Sequence, residues 1–392
     1  MITPLVSIAG NLSTTVTQYM TPTGTAGWVW QTTSATSRTP VAVNGVIQNF
    51  YVKLTAAPGA GTSRTFKIFK NGVASGISVT ISDAATTGSD TTNSVAVVAG
   101  DDLCIESTLS GSVAVGKATW GFEFRSNSSI VFSGNNGADL SSSASRYFTI
   151  QTGRSGTSSE AAESPVSPAG VFRNLYVRLN GTAGSGKSYT FSLYKNGSVT
   201  SLATSVSGAS ATTNSDTTNS VSVSAGDRFW LQADPVSTPL TRRLTFSMEF
   251  SPNTAGESIG TGVTNITIAA NLTRYFASGA GSTDNTETNW QQLIGTVVTV
   301  KNLYCYTNVA PGGTDTNVFM FRQNAGDTTL TATITGAAQS NNDTTHTVTT
   351  AINDGLNMRV VTSATAATST MSYGVTYYVD PGIVWKPQII IS

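Results

Sequence analysis

The chain reads as an all-β protein of three tandem β-sandwich domains, and three observations carry that reading. One series of short segments occurs three times, from Asn49 to Phe124, from Asn174 to Phe250, and in diverged form from Asn302 to Val379. Within each copy, apolar residues alternate with polar ones at the period of two that puts alternate side chains on opposite faces of a strand. No window carries a sustained helical stripe, and Asn-Gly, Gly-Asp and related turn pairs fall between the alternating runs. The copies are offset by 125 residues (Asn49 to Asn174) and 128 residues (Asn174 to Asn302). That is longer than a solenoid repeat of about 20–50 residues and matches a whole domain of about 100–150.

Taken in order, each copy opens on a short apolar segment: Ser7–Leu12, Val131–Asn135 and Thr267–Leu272. A region variable in length and content follows, at Trp28–Thr39, Gly153–Ser167 and Gly279–Gln292. Next comes Asn-Phe-Tyr-Val (Asn49–Val52), Asn-Leu-Tyr-Val (Asn174–Val177) or Asn-Leu-Tyr (Asn302–Tyr304). Phe66 and Ile68, like Phe191 and Leu193, then alternate with polar residues ahead of Lys70-Asn71-Gly72 and Lys195-Asn196-Gly197. Those triplets predict hairpins, because Asn and Gly tolerate the positive φ of a type I′ turn. Ser-Asp-Thr-Thr-Asn-Ser-Val recurs at Ser89–Val95 and Ser215–Val221, and Ala-Gly-Asp at Ala99–Asp101 and Ala225–Asp227. The copies close on Phe122-Glu123-Phe124 and Phe246–Phe250. In the third copy, Asn324-Ala325-Gly326 and Asn353-Asp354-Gly355 replace the hairpin and Gly-Asp turns. The expected boundaries are 1–125, 126–252 and 253–382, with a tail at 383–392. The link near Arg125–Ser129 is short. The one from Ser251 to Asn265, rich in Gly, Thr and Ser, is expected to be longer and more flexible.

Composition narrows the function. The 392 residues carry 21 basic and 21 acidic side chains, and charged residues make up 11%. A neutral chain lacks the basic footprint of a nucleic-acid binder. No apolar run approaches the roughly 20 residues that span a membrane, and the start shows no basic-then-apolar secretory signal. Cys104 and Cys305 fall in different strands of different copies, so they read as small buried residues rather than a disulfide.

Motifs with chemical content weigh against catalysis. Gly181–Ser188 fits the phosphate-loop pattern, but the residues after it, Tyr189–Leu193, read as a strand. A phosphate loop needs a helix N-terminus there. The lone histidine, His346, has no second carboxylate or oxyanion site marked beside it. One His and two scattered Cys also exclude the usual zinc sites. Asp90, Asp216 and Asp343, and Asp101, Asp227 and Asp354, recur in turns. Asx turns onto backbone amides account for them, and calcium is the alternative reading. No catalytic, cofactor-binding or metal residue is therefore expected. Candidate partner contacts are placed in the variable regions and the tail: Trp28, Trp30, Arg154, Glu160, Trp290, Trp385, Ile389, Ile390 and Ile391.

About ten short strands per copy with Gly-rich turns and no helix describe a jelly-roll-like β-sandwich. The Asn-Phe/Leu-Tyr-Val strand, the Lys-Asn-Gly hairpin, the Ala-Gly-Asp turn and the closing Phe-x-Phe strand resemble the trimeric jelly-roll superfamily of tumour necrosis factor and the complement globular heads. The same order is similar to repeated β-domains of bacteriophage structural proteins. The resemblance implies a non-enzymatic virion component, a capsid decoration protein or a head or tail fibre. Such a protein is made in the host cytoplasm without a signal peptide and bound to capsid or tail proteins. It also implies a homotrimer, with three chains aligned as a stacked column. The rival geometry closes the three copies of one chain into a pseudo-three-fold monomer. The alternative function is a glycan-binding adhesin or cell-surface filament protein, with a surface glycan as partner.

Overall fold

The computed structural model describes residues 2–24, 30–133, 138–151, 155–156, 163–264, 266–279 and 283–382, with backbone alone at 5–9 and 155. The first sandwich contains β1 (Ile2–Asn11), β2 (Gln18–Met20), β3 (Thr39–Pro40), β4 (Gly45–Leu54), β5 (Gly59–Lys70), β6 (Val73–Asp83), β7 (Thr87–Val97), β8 (Asp102–Ser110) and β9 (Lys117–Ser126). The second contains β10 (Ser129–Ser133), β11 (Arg146–Phe148), β12 (Ser155–Gly156), β13 (Ser164–Pro165), β14 (Gly170–Leu179), β15 (Gly184–Lys195), β16 (Ser198–Gly208), β17 (Thr213–Val223), β18 (Arg228–Val236) and β19 (Leu244–Pro252). The third contains β20 (Glu257–Val263), β21 (Thr273–Phe276), β22 (Gln292–Leu293), β23 (Thr299–Thr307), β24 (Thr316–Gln323), β25 (Gly326–Thr335), β26 (Ser340–Thr349), β27 (Gly355–Thr362) and β28 (Met371–Tyr378).

Each sandwich pairs two antiparallel sheets of constant order. In the first they are β1-β9-β4-β7 and β2-β8-β5-β6, with β3 added to β8. The second repeats this as β10-β19-β14-β17 and β12-β11-β18-β15-β16 with β13 on β18, and the third as β20-β28-β23-β26 and β21-β27-β24-β25 with β22 on β27. First and last strands lie side by side and the chain crosses repeatedly between the two sheets, while hairpins such as β5–β6, β15–β16 and β24–β25 stay within one, which makes each unit a jelly roll.

The recurring motifs are the fasteners of this fold. Asn71 and Gly72 (φ 53° and 79°), Asn196 and Gly197 (48° and 88°), and Asn324 and Ala325 (52° and 64°) build the β5–β6, β15–β16 and β24–β25 hairpins. The hairpins are tied to the neighbouring Gly-Asp turns. Asn71 Nδ2 donates to Asp101 at 2.6 Å and Lys70 Nζ lies 3.0 Å from the same carboxylate. Asn196 and Lys195 hold Asp227 likewise, both at 2.7 Å. In the third copy Gln323 replaces the lysine and donates to Asp354 at 2.5 Å, beside Asn324 at 2.7 Å. The apparent divergence of that copy thus preserves the bonds. Asn49, Asn174 and Asn302, read from sequence as ordinary strand residues, instead take φ of 54°, 52° and 54° at bulges in β4, β14 and β23. Asn tolerates this left-handed conformation, which is why it recurs there.

The second link is the clearest correction. Glu257–Val263 is not linker but β20, buried along its whole length and paired with β28. Its glycines serve close approach. A Cβ on Gly260 or Gly262 would stand under 3.0 Å from the rings of Tyr377 and Tyr373 respectively. Residues 253–256 alone join β19 to β20, against 127–128 between β9 and β10.

The three sandwiches close into a ring. β1, β10 and β20 lie against one another at its centre. These strands also stitch the cores together: Ile130 and Phe132 of β10 belong to the first core, Ile259 of β20 to the second, and Ile2 of β1 packs on the third. Outside this axis, β3 lies on β14 and β19, β13 on β23 and β28, and β22 on β4 and β9. These are the same interface three times, each sandwich docking on the next and the third returning to the first. Like interfaces related by a closing rotation give cyclic assembly. The column geometry expected for three like domains is replaced by this ring within one chain.

Candidate functional site: the clefts between sandwiches

The docking interface explains why each β9-type strand carries a small residue at the point of contact. Gly121, Ser247 and Gly374 occupy one register, opposite Tyr51, Tyr176 and Tyr304. A Cβ on Gly121 would stand under 3.0 Å from the Leu293 carbonyl oxygen, and one on Gly374 equally close to that of Pro165. Backbone there meets backbone. Ser167 hydroxyl adds bonds to Asn302 O at 2.5 Å and to Thr376 at 2.7 Å. Gln151, close to the axis, donates to Ile259 O at 2.8 Å and accepts from the Thr261 amide at 2.6 Å.

Beside two of these contacts lies a cleft bordered by the recurring tyrosine. Between the third and first sandwiches it holds about 290 Å³, lined by Tyr51, Lys53, Thr87, Ser89, Leu293 and Asn353 among others. Between the second and third it is larger, about 440 Å³. It contains Tyr304, Tyr306, Arg228, Asp227, Asn196 and the β26 residues Ser340, Asn341 and Asn342. The Arg228 guanidinium lies 4.3 Å from the Tyr306 ring centroid, and its Nε donates to Glu163 at 2.7 Å. At the corresponding place between the first and second sandwiches stand Arg178 and Asp102, 3.4 Å apart, with Arg38 on the same carboxylate at 2.5 Å. Burial lowers the Arg178 pKa, opposed by Asp102. Burial, reinforced by Glu123, raises that of Tyr51.

Of the candidate contacts read from sequence, Trp28, Arg154, Glu160, Trp385, Ile389, Ile390 and Ile391 lie outside the described residues. Trp30 and Trp290 are corrected from contact surface to core, at 5% and 0% exposure. The Trp30 indole packs on Trp120 and donates to Gly10 O at 3.2 Å, and Trp290 joins the third core. Large aromatic rings in loops that cross a sandwich end bury more area by tucking under than by facing water. Of residues 181–188, those from Gly184 on already belong to β15, so strand and not helix stands where a phosphate loop needs a helix N-terminus. Cys104 and Cys305 are buried free thiols, that of Cys104 pushed up to about 12 by burial and then by Asp102.

The recurring Asp90, Asp216 and Asp343 are staples. Asp216 accepts backbone N–H bonds from Ala203, Thr218 and Asn219 at 3.0–3.1 Å, and Asp90 and Asp343 repeat the pattern. Burial by itself raises the Asp216 pKa. The bonds from Asn219, Ala203 and Thr218 outweigh it and bring the carboxyl down to about 2. His346 Nδ1 sits 2.9 Å from Asp343 as part of the same turn. Among the described residues no three His, Cys, Asp or Glu side chains are grouped to hold a metal ion, and no helix is long and apolar enough to cross a membrane.

What sequence reading missed is the cleft. Its signal was the tyrosine two residues after each bulge Asn, read as strand rather than as the wall of an interface. No protein-family model matches the chain, and no curated protein matches it significantly. Similar solved structures include two at 9% identity. One, titled for the triple jelly roll fold and turret assembly in an archaeal virus, is covered over 83% of its length by 87% of this chain, with a TM-score of 0.18. The other, from Sulfolobus Turreted Icosahedral Virus, is covered over 91% of its length by 96% of this chain, with a TM-score of 0.17. Neither superposes closely enough for its role to be carried across.

Proposed function

We propose that the chain is a non-enzymatic structural component of a virus particle, in which one polypeptide supplies a ring of three jelly rolls as a single building block. The observation that carries this reading is the closed ring. Three like interfaces leave three like outer edges, and a symmetric block of that kind suits a repeating shell or a three-fold position on it. Three-foldness within one chain also removes the need for three chains, so the soluble unit in this reading is a monomer of 40.6 kDa. Association with other rings or with capsid or tail proteins then uses the outer edges. A capsid decoration role on a bacteriophage fits better than a fibre, because the sandwiches form a ring and not a column. Mass spectrometry of purified particles, with imaging of antibody-labelled ones, tests the role. Presence at a fixed copy number is expected, and absence from every particle fraction refutes it. Light scattering coupled to size exclusion tests the unit: a homotrimer at micromolar concentration would overturn the monomeric block.

A further inference from the structure

We propose that the cleft between the second and third sandwiches binds a neutral saccharide, an activity separate from any structural role. Ligand sites favour domain interfaces and combine apolar walls with a few placed polar groups. Here the wall is Tyr304, seated so close to the β17–β18 turn that a Cβ on Gly226 would meet its ring at 3.1 Å. Beside it on the same sheet, Asn342 is paired with Tyr304 and Ser340 with Tyr306, and both are exposed at the start of β26, offering a carboxamide and a hydroxyl. The charges around the cleft are already engaged: Arg228 with Glu163 and the Tyr306 ring, Asp227 with Lys195. A cleft with no uncommitted charge selects neither phosphate nor a cation. An aromatic face with amide and hydroxyl groups matches the apolar face and hydroxyl rim of a pyranose. The other interfaces differ at this chemistry, since Lys53 stands in place of Tyr306 in the third–first cleft and the Arg178–Asp102 pair occupies the corresponding place between the first and second sandwiches.

The test is a glycan array probed with the intact chain, followed by calorimetric titration of the strongest binder. Tyr304→Ala and Asn342→Ala should each weaken that binding by about tenfold or more, which corresponds to about 1.4 kcal/mol. Tyr51→Ala, in the cleft between the third and first sandwiches, should leave it unchanged. Asn342 is exposed, so its replacement keeps the fold, and an unshifted melting midpoint verifies this. Failure to bind any glycan overturns the proposal. So does binding that survives both Tyr304→Ala and Asn342→Ala, or that is lost in Tyr51→Ala.

Discussion

Gly121→Ala tests the ring at the interface that no linker holds. Gly121 lies on β9 between β1 and β4, and its φ is outside the left-handed region, so alanine brings no backbone strain. The new methyl would stand under 3.0 Å from the Leu293 carbonyl oxygen, where ordinary contact begins at 3.4 Å. Neither side can yield easily. Leu293 is paired to Gly355 on β27, and Gly121 is clamped by strands on both flanks. The third sandwich must therefore back away by several tenths of an ångström. Overpacking of this kind costs about 1–3 kcal/mol, and each kcal/mol lowers the midpoint of a domain-sized unit by roughly 2–8 °C. Gly76→Ala is the control, because a Cβ there meets nothing within 4 Å. Calorimetry should show Gly121→Ala melting below that control, as should Gly374→Ala at the second–third interface. Small-angle scattering should separate the two. Only Gly121→Ala should expand the particle, since residues 253–256 still tether the second and third sandwiches. Melting and scattering of Gly121→Ala indistinguishable from Gly76→Ala would refute the seating of β22 on β9, and the ring with it.

Asp216→Ala should cost about 1–3 kcal/mol by stranding the amides that its carboxylate accepts. The folded carboxyl titrates near 2, below the unfolded value of about 3.9. Its stabilisation is thus complete above about pH 4 and fades as pH falls through 2, and denaturation curves of the variant should be flatter across that window. Gly197→Val should destabilise by about 1–3 kcal/mol, since a β-branched residue at positive φ is strained. Ala325→Gly, at φ 64°, should do the reverse and stabilise by up to about 1 kcal/mol. An equal melting midpoint in either would contradict the hairpin geometry. Lys187→Ala should change stability by less than about 0.5 kcal/mol, and an ATP titration should give no heat with either protein. Hydrogen exchange should find Gly260 and Thr261 as protected as β28, and rapid exchange there would restore a flexible linker.

Local chemistry was legible from the residues alone. Period-two alternation such as Phe66-Lys67-Ile68 specifies a two-faced strand, Asn71-Gly72 specifies a primed turn, and Asp216 followed by Thr-Thr-Asn specifies an Asx turn. Each depends only on neighbours in the chain, and so the all-β class and the three-fold repeat followed from sequence. Tertiary structure decided what depends on residues far apart. Gly260 and Gly262 read as linker because nothing in Gly-Thr-Gly reveals that Tyr377 and Tyr373 will lie across them. Trp30 and Trp290 read as candidate partner contacts because burial is set by the sandwich on which they pack. Gly121 gave no signal until Leu293, more than a hundred residues away, was seen to rest on it. The ring itself was equally hidden. Closing three like domains or stacking them uses the same strands and turns, and the choice rests on which outer faces meet, a property of surfaces that one-dimensional periodicity does not encode.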